Sequence, residues 1–267
     1  MKHLLQRSGS KGEAPRAPRG VRLLIVGNSH VNCYGGHLGR STDDYEMNPI
    51  DEVRGFVRIG GSPANLDYWD AAVELAKTFR IAVCWQGNQH VTHFMFLDKP
   101  FDFALASHPE LVVDPRVELV PELQVREVFL PSMSHLANVL TRMLDASGPR
   151  PIVLGTPPPK ADNEAIRRGM QIHADFFTKL ASDLGFNPEK AQLTPVFLRL
   201  KLWSLLQQMM RETAERLAVE FWPVSASAMT EDGYLRPEYW DEDATHANAA
   251  YGALMLDEYE QRLFALR

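Results

Sequence analysis

The sequence predicts an α/β fold, with a central, mainly parallel five-stranded sheet and helices on both faces. Three observations carry this. Five short apolar runs read as buried strands, stretches of helical periodicity separate most of them, and glycine closes each of the first four runs. Alternating strands and helices make βαβ units with right-handed crossovers, and ligands of such sheets bind outside the carboxyl ends of the strands. At 267 residues the chain has the length of one large domain.

The first strand is read at residues 21–26 (VRLLIV), bounded by a Pro/Gly-rich segment and by Gly27. Residues 53–59 follow as a second strand, alternating Val53, Phe56, Val57 and Ile59 with Arg54 and Arg58 and stopping at Gly60-Gly61. Residues 65–79 have apolar positions at helical spacing, and residues 81–85 (IAVCW) form a third strand that ends at Gly87. Residues 91–128 have little periodicity and are expected to form an irregular insertion or lid. A helix is expected over 131–144, starting on Pro131, then a fourth strand over 151–154, closed by Gly155 and the rigid run Pro157-Pro158-Pro159. A long helix over 194–217, a fifth strand over 218–223 and a last helix over 249–266 complete the chain. The stripe of Phe197, Leu198, Leu202, Trp203 and Leu205 is read as core or lid packing.

Composition excludes several classes of function. Hydrophobic content of 45% and charged content of 23% belong to a globular protein rather than a disordered one. A net charge of -6 argues against nucleic-acid binding, which needs a basic face. No apolar run reaches the roughly 18 residues that a membrane span requires. Residues 1–19, rich in Lys, Arg, Gly, Ser and Pro, read as a flexible arm without the apolar core of a signal peptide, with residues 20–267 as the single domain. Cys33 and Cys84 lie in or beside apolar stretches and are expected to be buried free thiols, consistent with a cytoplasmic placement.

The candidate chemistry lies at the strand ends. Ser29 follows the first strand in Gly27-Asn28-Ser29-His30, where a hydroxyl can project into the crevice and its backbone N–H can favour an oxyanion. A helix N-cap is the competing reading. Gly61 allows a backbone N–H to approach a ligand after the second strand, and Asn88 offers an amide donor after the third. Both positions also suit ordinary turns. Near the C-terminus stands Asp243-Ala244-Thr245-His246, the one D-x-x-H in the chain. At this spacing a carboxylate can accept the ring N–H of the histidine and leave the other nitrogen to take a proton from serine. With 9 histidines in 267 residues, about half of one such pair arises by chance, so its position before the last helix says more than its letters. Asp241 is the alternative partner for His246.

His90 and His93 have no third ligand at a recognisable spacing, so no metal site is assigned; His90 and His30 are candidate substrate contacts at the crevice.

In this order and placement, Ser29, Gly61, Asn88 and the stretch 243–252 (DATHANAAYG) resemble the four sequence blocks of the SGNH (GDSL) hydrolase superfamily, over roughly residue 21 to the end. Two departures mark a divergent member. Asn28 stands where the first block has Asp, and Gln86-Gly87-Asn88-Gln89 differs from G-x-N-D. The resemblance implies a three-layer α/β/α, flavodoxin-like sandwich. It further implies Ser29 as nucleophile, His246 as general base oriented by Asp243, and an oxyanion hole of Ser29 N–H, Gly61 N–H and the Asn88 side chain.

The expected activity is hydrolysis of a short O-acyl ester of a small molecule or glycan, with no cofactor. Two rivals share the fold: an O-acyltransferase that passes the acyl group to a sugar or other hydroxyl, and a glycan-binding protein without catalysis. Oligomeric state is not legible in the sequence.

Overall fold

The computed structural model describes residues 22–35, 47–59, 63–64, 66–86, 93–187 and 190–265. The expected N-terminal arm lies outside the described residues, as do Gly61, Asn88 and His90.

The expected α/β architecture is observed. Strands β1 (Leu23–Gly27), β2 (Met47–Asp51), β3 (Phe56–Ile59) and β4 (Ile81–Cys84) come first, with helix α1 (Leu66–Ala76) between the last two. A small pair, β5 (Phe101–Asp102) and β6 (Glu118–Leu119), precedes helix α2 (Glu122–Asp145) and β7 (Ile152–Leu154). Helices α3 (Asn163–Met170), α4 (Ala174–Asp183) and α5 (Val196–Arg216), strand β8 (Glu220–Trp222) and helix α6 (Ala249–Ala265) follow. The main sheet runs β2-β3-β1-β4-β7-β8. Its five expected strands are parallel, and β2 adds an antiparallel edge. That strand escapes a sequence reading because Pro49 interrupts it, and an edge is where a sheet tolerates proline.

Strand periodicity divides the core between two faces. Leu24, Val26, Ile81 and Val83 pack with α1, α2 and α5, whereas Leu23, Ile25, Ala82 and Cys84 pack with α6 and the turn that follows β1. The strands are buried on both sides, as a parallel sheet covered by helices requires.

Three expectations change. The second strand starts at Phe56 rather than residue 53, because Glu52–Gly55 is a turn with Gly55 at φ +70° and Val53 is 98% exposed. Arg58, read as the polar side of that strand, is buried. The helix expected from Pro131 begins at Glu122 and carries Pro131 in its interior. Its buried stripe of Val125, Phe129, Met133, Leu136, Leu140 and Met143 offsets the cost of about 3 kcal/mol that an interior proline carries. Part of the irregular 91–128 segment is therefore helical. Another part is tied to the core by β5, whose Asp102 makes a buried 2.8 Å ion pair with Lys201 of α5. Helices α3 and α4 were not expected. They pack through Ile166, Phe177 and Leu180 against Met95, Phe96 and Ala244.

Helix α5 is buried around most of its circumference. Leu198, Leu202 and Leu205 face one core, while Leu200 and Trp203 face the other. The aromatic and leucine stripe is core packing. Cys33 and Cys84 are buried free thiols, and burial holds both above the ordinary thiol range, Cys84 at about 12. Among the described residues no helix is long and apolar enough to cross a membrane.

Candidate active site

Strand β1 ends at Gly27, whose φ of +152° and close approach to the Cys84 carbonyl leave no room for a Cβ. The Tyr68 hydroxyl of α1 accepts the Gly27 N–H at 2.9 Å, which fixes the end of the strand. The chain then turns through Asn28 into a short 3-10 helix, Ser29–Tyr34. Asn28, in extended conformation, occupies the N-cap position, so the cap reading of Ser29 does not hold. Ser29 is the exposed first residue of that turn, and its backbone N–H has no preceding helical acceptor.

Two contacts hold this turn from behind. Arg58 of β3 donates from Nη1 to the carbonyls of Val31 (3.0 Å) and Gly35 (3.2 Å). Gly252 of α6 lies so close to Cys33 that an added Cβ would collide with its carbonyl. The glycine in the stretch 243–252 thus serves helix packing against the Ser29 turn.

The second half of the site is the loop between Trp240 and Ala247, closed at its base by an antiparallel bridge between those residues. Asn248 caps α6, accepting from the N–H groups of Ala250 (3.0 Å) and Tyr251 (3.2 Å). Its Nδ2 donates to the carbonyls of Glu238 and Trp240, which fixes the loop exit. Within the loop, Asp243 Oδ1 accepts the N–H groups of Thr245 and His246, each at 2.8 Å. Asp243 Oδ2 lies 2.5 Å from His246 Nδ1, and His246 Nε2 lies 2.8 Å from Ser29 Oγ. The fold therefore brings Ser29, His246 and Asp243, 217 residues apart at the extreme, into one hydrogen-bonded chain.

Burial by itself would raise the Asp243 carboxyl, but the hydrogen bond and charge of His246 and the two backbone N–H groups outweigh it. They hold Asp243 well below the usual carboxylate range, so it stays an anion beside the imidazole. An anion there selects the tautomer with hydrogen on Nδ1 and leaves Nε2 free to accept from Ser29.

Other expected residues sort clearly. Asp241 does not reach the imidazole. Its backbone N–H bonds the His246 carbonyl, and its side chain accepts from Glu242 N–H. His30 is buried, with its ring 4.9 Å from that of His246. His93 is exposed and packs near Phe94 and Phe129. Among the described residues no group of three or more His, Cys, Asp or Glu side chains is placed to hold a metal ion.

Several residues of the site carried no sequence signal. Lys160 is 3% exposed and donates from Nζ to the carbonyl oxygens of Asp241 (2.6 Å) and Asp243. Gly169 of α3 lies against the backbone of Asp243 and Ala244, where a Cβ would collide. Arg58 and Tyr68 support the Ser29 side as described. Each is a distant residue whose role appears only once the chain is folded. A cavity of about 770 Å³ lies elsewhere, between α5 and the Met229–Tyr234 segment, and neither Ser29 nor His246 lines it.

No family model matches the sequence, and no curated protein matches it. Solved structures do. A GDSL-like lipase from Bacteroides thetaiotaomicron is 10% identical with a TM-score of 0.47, over 92% of this chain and 89% of that one. A carbohydrate acetylesterase from Sinorhizobium meliloti is 14% identical with a TM-score of 0.43, over 92% and 100%. An aryl esterase from M. smegmatis is 14% identical with a TM-score of 0.42, over the same shares.

Proposed function

We propose that this chain is a divergent SGNH hydrolase, a serine esterase that cleaves a short O-acyl ester through an acyl-enzyme on Ser29. One observation carries the reading: the continuous Ser29 Oγ–His246 Nε2 and His246 Nδ1–Asp243 Oδ2 chain at the carboxyl end of a central strand. A serine hydroxyl is a poor nucleophile until a base removes its proton, and this arrangement supplies the base and its orienting anion.

In the acylation half, His246 Nε2 takes the proton of Ser29 as Oγ bonds to the ester carbonyl carbon. The negative charge moves to the carbonyl oxygen, where the Ser29 N–H at the start of the 3-10 turn is one donor. Gly61 N–H and the Asn88 side chain enter as the other two donors on the strength of their sequence order alone. Collapse of the tetrahedral intermediate expels the alcohol, which leaves with the proton from His246. Water then attacks the acyl-enzyme with His246 again as base, the acid departs, and the proton returns to Ser29 Oγ. Asp243 keeps its charge throughout and stabilises the imidazolium formed twice per cycle.

The direct test is hydrolysis of p-nitrophenyl acetate by the purified protein. Ser29→Ala should lower kcat/KM at least about a thousandfold. Undiminished hydrolysis by that variant would overturn the assignment.

A further inference from the structure

The loop that carries Asp243 and His246 belongs to no strand or helix, and the segment 241–246 is spanned by few backbone hydrogen bonds of its own. The bond from Asp241 N–H to the His246 carbonyl, at 3.1 Å, closes it. The rest of its shape comes from side chains. Beneath it lies Lys160, at the exit of β7 directly after Pro157-Pro158-Pro159. All ten residues 151–160 are buried, so the lysine enters the loop from the protein side rather than from solvent.

A buried ammonium is costly unless its protons are taken up, and most buried lysines answer a carboxylate. Lys201, paired with Asp102, does so in this fold. Lys160 instead donates hydrogen bonds to two main-chain carbonyls, those of Asp241 and Asp243, and sets its charge 6.0 Å from the Trp240 ring centre. All three partners belong to one four-residue stretch, 240–243, with Asp243 the very residue that contacts His246. Lys160 is itself tied down. Its carbonyl accepts from Arg199 Nη2 (3.4 Å), and the same guanidinium donates to Asn163 Oδ1 (2.8 Å) and, through Nη1, to the Thr194 carbonyl (2.6 Å). Helix α5 thereby holds Lys160, and Lys160 holds the loop. Gly169 of α3 also closes on the backbone of Asp243 and Ala244, so the loop is held by Lys160 and by this helix.

We propose that Lys160 is a positioning residue for the reaction: its ammonium, bonded to the carbonyls of Asp241 and Asp243, fixes the loop geometry in which Asp243 aligns His246 on Ser29. It touches no substrate and moves no proton. Deleting its donors would leave the carbonyls of Asp241 and Asp243 without this partner and free the Asp243 backbone to shift, and a displacement of about 1 Å in such a site costs on the order of 100-fold in rate. The loss falls on kcat, because a misaligned base penalises the transition state rather than substrate binding.

This inference rests on the reading of the site given above, and the experiment separates the two. The wild-type protein, Lys160→Met and Lys160→Gln are compared by two measurements. The first is steady-state hydrolysis of p-nitrophenyl acetate, with kcat normalised to the Ser29 sites titrated by a fluorophosphonate. The second is the low-field proton resonance of His246 Nδ1–H, assigned by its disappearance in His246→Ala. The second readout needs no substrate and reports the Asp243–His246 contact in the resting protein.

In Lys160→Met, kcat per titrated site should fall about 100-fold with KM within about twofold, and the resonance should broaden or move upfield. Lys160→Gln retains an amide donor for one carbonyl and should fall between the two. It also serves as the variant to read if the Met form does not fold. Wild-type kcat per site and an unmoved resonance in a folded variant, with only thermal stability reduced, would show a purely structural lysine and overturn the proposal. If the wild-type protein has no Ser29-dependent hydrolysis, the functional reading fails, and the resonance still decides whether Lys160 holds the Asp243–His246 pair.

Discussion

The two halves of the candidate site are built by different means. The Ser29 turn leaves directly from the central strand β1 and is backed by Gly252 of α6 and Arg58 of β3. Its position is set by the sheet and by close backbone packing. The Trp240–Ala247 loop starts from no core strand and is shaped by polar side chains: Lys160 beneath it, Asn248 at its exit and Asp243 within it. Both halves use a buried cation that donates to two carbonyls, Arg58 on one side and Lys160 on the other. The difference lies in what remains when such a contact is lost. The turn keeps its strand, whereas the loop keeps little.

This contrast separates effects on stability from effects on activity. The largest effect removes both halves at once. Ser29→Ala and His246→Ala should each cost at least about a thousandfold in kcat/KM, and the double variant should cost little more than either alone, because the two groups act as one unit. Additive losses, measured in a double-mutant cycle on p-nitrophenyl acetate, would separate the turn from the loop.

Next come the two glycines that let helices approach each half. Gly252→Ala would drive α6 against the Cys33 carbonyl, and thermal or urea unfolding should show a loss of about 1–3 kcal/mol. Gly169→Ala presses on Asp243 and Ala244 instead. It should lower kcat more than stability, with a kcat loss of about tenfold or more. If the two variants lose stability and activity in the same proportion, the distinction between the halves disappears.

The smallest effects are in pH dependence, and their signs differ. Asp243 is held below its unfolded value of about 3.9, so its contribution to stability is complete above that value and is lost as pH falls below about 4. The thiols behind the turn are raised by burial. Their contribution is complete below the unfolded value of about 8.5 and is lost as pH rises toward the value of about 12 at Cys84. Thermal midpoints across pH should therefore lose acid sensitivity in Asp243→Asn and alkaline sensitivity in Cys84→Ala. Unchanged slopes in either variant would remove that side of the contrast.

The same division explains what the sequence disclosed. The Ser29 half was legible because a strand signal places it: the apolar run ending at Gly27 puts Ser29 at a carboxyl strand end without knowledge of any other element. Asp243 and His246 were legible because their contact is local, three residues on one loop. Arg58 was read only as a polar member of the strand's alternation, because alternation identifies a face but not what covers it, and here the Ser29 turn does. Lys160 and Gly169 were illegible for a related reason. Their partners lie 83 residues away for Lys160 and in another element for Gly169, and no local pattern encodes such a meeting. Helices α3 and α4 escaped because they bury few residues, Ile166 and Gly169 in the first and Phe177, Leu180 and Ala181 in the second.

The central claim is that Ser29, activated by His246 and Asp243, is the nucleophile of an acyl transfer. The most direct measurement is mass-spectrometric mapping of the adduct formed with a fluorophosphonate, on the wild-type protein and on His246→Ala. The account predicts one label, on the peptide containing Ser29, formed far more slowly in the variant. A label on any other residue, or equal labelling of Ser29 without His246, would contradict it.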